Sequence, residues 1–434
     1  MTLSPPANAP AYAPQGRRDR TSLWSLIDAA ILYLTLAAST DMLVQLGPIQ
    51  SLVWLTCYGL TLIRVITQWP QFLSLVSRNT VLIYYPLACI ASVLWSYSRG
   101  ESLVLSIQLT MTMVIATYLG WRYTLPVLIK VLAIVISVAA FLSLIHWATG
   151  VFPWPVYTRA GGLAGFFSHK NMLGQRALFG GIAILTIWFM YRSEASQRFK
   201  LFLTLPFLIN LYVLYLSKSI TALLMFPVLA GLLLLLCLGR MPRGLAASSV
   251  LVALLLFALG PLVLAFYGTN PVDAVLDGVG KSSTLTGRTE LWAVAREVIA
   301  DHPVFGIGYG AFWNSAAFLN ERIMTQEAGA TTSRSFHNFV FEILVSAGWP
   351  ALLAMTALIV AAFSRLGRQW SAYRRPAAAG AIVLVIGFII ASLVGTTLYR
   401  GHEHMIILLI AFMVAAREDE RAATRRPRSA QNRA

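Results

Sequence analysis

The chain has 434 residues, of which 58% are hydrophobic and only 12% charged, with a formal net charge of +16. A soluble domain carries about a quarter of its residues as charged types, so this composition excludes the ordinary soluble globular class. The cation excess fits nucleic acid at first sight, and its placement along the chain decides against that reading.

Apolar runs of about 20 residues, long enough to cross the hydrocarbon core, recur from end to end. They predict spans near 26–46, 50–67, 79–97, 102–119, 124–148, 172–191, 199–216, 219–239, 245–267, 337–363, 377–396 and 398–416. With the N-terminus inside, the inner segments hold 20 of the 33 Lys and Arg and the outer segments hold ten. The bias is strongest in the short loops, where it reports orientation. The basicity is therefore a topology signal, and no nucleic-acid partner is expected.

The expected organisation is an all-α polytopic membrane protein of about 12 transmembrane helices with both termini cytoplasmic. Residues 1–23 form a basic tail ending in Arg17, Arg18 and Arg20. Ala37-Ala38-Ser39 loosely resembles a signal-peptide cleavage site. The apolar stretch is longer than a signal h-region, however, and is read as the first span. Residues 24–267 carry the first nine spans, interrupted by a polar outer loop at 149–171. A large outer loop at 268–336 follows, then three spans within 337–416 and a basic inner tail at 417–434. Cys57, Cys89 and Cys237 fall within spans at no metal or disulfide spacing and read as packing residues. Arg64, Lys130 and Arg176 are the main basic side chains inside spans, and each is expected to reach an interface.

The two long outer segments carry most of the information, because loops of this length are usually functional or disordered. The first reads TGVFPWPVYTRAGGLAGFFSHKN. In the second, Arg288 to Asp301 predicts a helix with Leu291, Trp292, Ala295, Val298 and Ile299 on one stripe. Glu290 sits in its first turn and Pro303 just past its end. Such a helix can lie flat on the bilayer or pack against the bundle. Gly306, Gly308 and Gly310 follow in FGIGYGAF, which reads as a plain turn-rich loop rather than a phosphate cradle. The loop is nearly neutral, with seven acids against five bases, so it suits a few placed contacts rather than a polyanion surface.

His337 begins the span after this loop, at a helix N-terminus where the backbone dipole disfavours the imidazolium form. A neutral imidazole suits a general base, although from the residues alone a histidine that merely caps or wets the helix end is the commoner case. Asn338 follows at once, and Glu342 lies one to two turns deeper, where a buried carboxylate needs a partner. Arg288 and Arg159 lie in the outer polar segments, and a guanidinium forks across two oxygens as a diphosphate requires. The bland alternative is an arginine snorkelling to headgroups. Lys170 and Asn171 stand where the first outer loop re-enters the membrane, and Lys170 could bind phosphate as a point charge or anchor the helix. Lys218 carries the same ambiguity. Arg400-Gly401-His402-Glu403-His404 has a His-x-His look but supplies no third strong ligand, so no metal is expected. There is no Walker motif, no Asp-x-Asp pair in an outer loop and no dense set of charges within the spans.

Three segments in order carry a family resemblance. GLAGFFSHKNMLG is similar to the glycine-Phe-(His)-Lys/Pro-Asn-x-Leu-Gly element of bacterial O-antigen ligases and Wzy-type polysaccharide polymerases. GRTELWAVAREVIADHPVFGIGYGAF resembles the start of their large periplasmic loop, and HNFVFEILVSAGWPALL their His-Asn element. The resemblance implies a GT-C-like glycosyltransferase of the bacterial inner membrane that works on the periplasmic side without a cofactor. Its donor would be a polyprenyl-diphosphate-linked glycan, and its acceptor a second lipid-linked glycan for a polymerase or lipid A-core for a ligase. Membrane lipids are implied partners, and a flippase and a chain-length regulator are further candidates. By resemblance, His337 is the base and Arg288 and Arg159 hold the diphosphate; on their own residue chemistry Lys170 joins the diphosphate contacts, with Asn338, Glu342 and Asn171 in support. Fixed arginines would stabilise the leaving diphosphate, and a single displacement would invert the anomeric carbon. The His-Lys-Asn wording at 169–171 leans toward the polymerase branch. A flippase for lipid-linked oligosaccharide is the alternative of another class, and an export scaffold a third. A flippase predicts polar groups along the midplane, whereas the informative polar residues here collect at the expected outer surface.

Overall fold

The computed structural model describes residues 23–158, 161–193, 196–238, 286–321, 335–395 and 397–425. Among these, the protein is helical throughout, with β-structure limited to one isolated bridge between Tyr157 and Leu163. The helices are α1 (Leu23–Ser39), α2 (Pro48–Thr67), α3 (Trp69–Ser77), α4 (Val81–Ala91), α5 (Arg99–Arg122), α6 (Leu125–Thr149) and α7 (Lys170–Tyr191). They continue with α8 (Gln197–Ser217), α9 (Ile220–Leu238), α10 (Thr286–Asp301), α11 (Ala311–Asn314), α12 (Phe339–Tyr373), α13 (Pro376–Leu393) and α14 (His404–Arg425).

Eight of these helices are long and apolar enough to cross a membrane, and α3 with α4, bent by 91°, makes a ninth if counted as one span. The protein is therefore a multi-pass membrane protein, with fewer described spans than the twelve expected from hydropathy. Three differences account for the gap. Helix α1 is apolar but has 17 residues. The expected span 245–267 lies outside the described residues. Helix α14 starts at His404, six residues after the expected start, and runs to Arg425 through much of the segment read as a tail.

Helices α7 and α13 are the most enclosed of the spans and pack on each other, with α6 and α9 alongside. Close approach depends on small residues, as is usual between helices in lipid. A Cβ on Gly120 would strike the backbone of Ala411, and one on Gly380 would strike Thr186. The outer faces of α2, α8 and α9 leave Leu55, Ile66, Phe202, Leu205 and Leu224 exposed, as a lipid-facing surface requires.

The basic residues inside the spans do not simply reach an interface. Arg64 is buried, donating to the Asp28 carboxylate at 2.7 and 3.3 Å, and Arg122 donates to the same carboxylate at 2.5 Å. Arg176 is fully buried and pairs with Asp41 at 3.2 Å and Glu403 at 3.4 Å. Pairing is the physical reason: a guanidinium can stay in the interior when carboxylates and carbonyls accept its N–H hydrogen bonds. Lys130 lies over the Tyr191 ring at 4.8 Å.

Helix α12 is interrupted at Gly348, whose φ of +67° lies in the left-handed region, and Pro350 two residues later has no N–H to give. The break frees the carbonyls of Val345 and Ser346. The FGIGYGAF segment fills that gap: Ile307 N–H donates to Val345 O at 2.9 Å and Gly308 N–H to Ser346 O at 2.8 Å. In return Trp349 N–H donates to Val304 O at 3.0 Å. A Cβ on Gly306 would meet Val345 O at 2.5 Å, so glycine there allows the two backbones to touch. The glycine run thus docks one loop against a broken helix rather than cradling an anion.

Candidate active site

The loop that precedes α12 ends in a tight turn. Phe336 is fully buried, and His337 follows with φ of +51°, an uncommon conformation for a residue with a side chain. Asn338 then caps α12, its Oδ1 accepting from Val340 N–H at 2.9 Å. The His337 N–H donates to Ser335 Oγ at 3.0 Å.

Three hydrogen bonds hold the turn. Glu342 Oε1 accepts from Phe336 N–H at 2.7 Å, while Oε2 accepts from the Trp313 indole at 3.1 Å. On the other side of the same residue, the Phe336 carbonyl accepts from the Trp292 indole at 2.9 Å. Trp292 belongs to α10, so this bond ties the amphipathic helix to the start of α12. The helix packs against the bundle rather than lying free on the bilayer. Its stripe of Leu291, Ala295 and Val298 is buried with Ile307, Phe312 and Phe336, and Trp292 and Ile299 pack at its edge.

Of the residues singled out in the sequence, His337, Asn338 and Glu342 come together at this turn. Arg288 is in the first turn of α10, one helical turn before Trp292, and its side chain lies outside the described residues. Arg159 also lies outside them. Lys170 and Asn171 form the first turn of α7 instead of the end of the loop. Lys170 is buried, and its Cδ lies against Gly162 in the outer loop. Asn171 is exposed, its N–H donating to the Nδ1 of His169, the residue that caps α7. Partial burial and the neighbouring Lys170 charge hold the His169 imidazole below the usual histidine range.

Residues with weak sequence signals complete the surroundings. Tyr399 O accepts from the hydroxyls of Tyr85 at 3.0 Å and Tyr309 at 2.9 Å, and the Tyr399 hydroxyl bonds Ser346 Oγ at 2.7 Å. The adjacent Arg400 guanidinium lies within electrostatic reach of Glu342, Asp41 and Glu403. In the 400–404 segment, His402 stacks on Trp54 with ring centroids 4.1 Å apart and bonds the Tyr58 hydroxyl. Among the described residues no three His, Cys, Asp or Glu side chains gather as a metal site. Asp41, Arg176, Glu342, Arg400, Glu403 and His337 all stand at one end of the bundle, the end expected to face outward. Such an arrangement offers an imidazole on a fixed turn beside a paired set of charges.

Comparison with known proteins agrees with the three-segment resemblance. Residues 205–356 match the family model described as O-antigen ligase, a stretch running from α8 through α10 and the His337 turn into α12. Over 356 residues the chain is 27% identical to the exopolysaccharide production protein ExoQ of Rhizobium meliloti (strain 1021), covering 77% of each chain. Over these stretches the chain is similar to O-antigen ligase proteins and to an exopolysaccharide production protein.

Proposed function

We propose that the protein is an exopolysaccharide polymerase of the bacterial inner membrane. It would transfer a polyprenyl-diphosphate-linked glycan to a hydroxyl of another lipid-linked repeat, on the periplasmic side and with both termini cytoplasmic. The observation that carries the reading is the clamp on Phe336, which fixes the backbone of His337 between Glu342 and the helix that bears Arg288.

In the reaction, the acceptor hydroxyl oxygen attacks the anomeric carbon as the bond to the diphosphate oxygen breaks. The hydroxyl proton passes to the His337 imidazole, and the electron pair of the broken bond leaves with the diphosphate. Arg288, Arg159 and Lys170 would balance that developing charge, which is the largest demand of such a step. A proton taken by a positioned base contributes typically ~100- to 10,000-fold. A single displacement inverts the anomeric carbon, and a retained configuration by product NMR would refute it. Flippase and chain-length proteins are the expected neighbours in the membrane.

The exopolysaccharide label of the Rhizobium relative favours the polymerase. The O-antigen ligase description of the family match favours the second reading, transfer to lipid A-core. Purified protein in liposomes, supplied with lipid-linked repeats alone and then with lipid A-core, separates the two. A ladder of polymer without lipid A-core supports the polymerase, and product formed only with lipid A-core supports the ligase.

A further inference from the structure

Glu342 is buried with both carboxylate oxygens engaged, by the Phe336 N–H and the Trp313 indole. Those are neutral donors, and an ionised carboxylate removed from water also needs a cation nearby. The cation within reach comes from a distant part of the chain. One turn beyond Glu342 on α12, Ser346 bonds the Tyr399 hydroxyl at 2.7 Å, and Arg400, the residue after Tyr399, lies within electrostatic reach of Glu342.

The backbone that carries Arg400 is fixed on both sides. Tyr399 O holds two tyrosine hydroxyls, and His402 N–H donates to Thr112 Oγ1 at 3.0 Å. A Cβ on Gly401 would press on the backbone of Leu109 at 3.0 Å, so the segment sits directly on α5. Arg400 is thus presented from a rigid support, as residues that orient a catalytic group require.

We propose that Arg400 is a positioning residue whose charge balances the buried Glu342 carboxyl and so holds the Phe336–His337 turn in register for proton transfer. It acts through Glu342 and not on the diphosphate. The inference rests on the reading of His337 as the base.

The test is a double-mutant cycle in the purified full chain, assayed in liposomes with a synthetic polyprenyl-diphosphate-linked repeat. Arg400→Gln should lower kcat about tenfold or more, as loss of alignment does, with KM for the donor unchanged. Arg400→Lys should recover part of the loss. In a Glu342→Gln background, where an amide oxygen can still accept from Phe336 N–H, adding Arg400→Gln should do little more. A rise in donor KM at steady kcat, or losses that multiply in the double variant, would overturn the proposal. If Arg400→Gln does not insert as a folded protein, Arg400→Lys runs through the same cycle: a smaller fall in kcat that vanishes in the Glu342→Gln background supports the proposal, and one that multiplies there overturns it. His337→Ala is measured alongside. An inactive His337→Ala with multiplying losses sinks this inference alone, and an active one sinks the His337 reading itself.

Discussion

The indole N–H of Trp292 donates to the carbonyl oxygen of Phe336 at 2.9 Å, joining the amphipathic outer helix to the residue just before His337. One bond therefore sets how α10, and with it the backbone of Arg288, stands relative to the proposed base. Trp292→Phe keeps most of the ring packing and removes the donor. It should cost about 1 kcal/mol of stability and lower polymer yield several-fold, read from thermal unfolding in detergent and from turnover in liposomes.

Glu342 invites a graded comparison. Glu342→Gln keeps an oxygen for Phe336 N–H, whereas Glu342→Leu strands that N–H and the Trp313 indole in the interior. Leaving a buried donor unsatisfied costs about 1–3 kcal/mol, so the leucine variant should melt well below the glutamine one. Equal melting temperatures would show that neither bond matters.

The break in α12 gives a third expectation. Gly348→Ala puts a Cβ into the backbone of Val304 and Phe305 at a positive φ, and a few kcal/mol of destabilisation should follow. Gly367, on the same helix with open space around its Cβ position, is the control: Gly367→Ala should leave stability unchanged or slightly raised. Paired thermal melts decide it.

His169 gives a pH dependence. Its Nδ1 must be unprotonated to accept the Asn171 N–H, and its folded pKa is lowered from the usual value. The unfolded chain therefore binds the proton first as pH falls below about 6.5. Stability from this cap is fully present above that pH and declines as pH drops toward the folded value. Because the ring is only partly buried, the effect should be small. Melting curves from pH 7.5 to 5 should slope for the native chain and flatten for His169→Asn, which caps without titrating.

Much of this arrangement could be read from the sequence, and the limits have physical causes. Hydropathy located the long helices because each span must satisfy its own backbone in lipid. The His337–Asn338 helix start and the stripe of α10 were legible because caps and periodicity are local signals. The docking of Gly306 and Gly308 into the broken α12 was not, since it depends on carbonyls freed some 40 residues later in the chain. Nor was the burial of Arg176, whose partners Asp41 and Glu403 lie 135 and 227 residues away. The setting of Arg400 is illegible for the same reason, since Asp41 and Glu342, within its electrostatic reach, lie far away along the chain.

The most direct measurement is polymer formed per unit time by purified His337→Ala in liposomes with lipid-linked repeats, against the native chain. The account expects a fall of about 100-fold or more with melting temperature and donor binding unchanged. Near-native turnover by that variant would mean the proton leaves by another route, and the role given to this turn would be wrong.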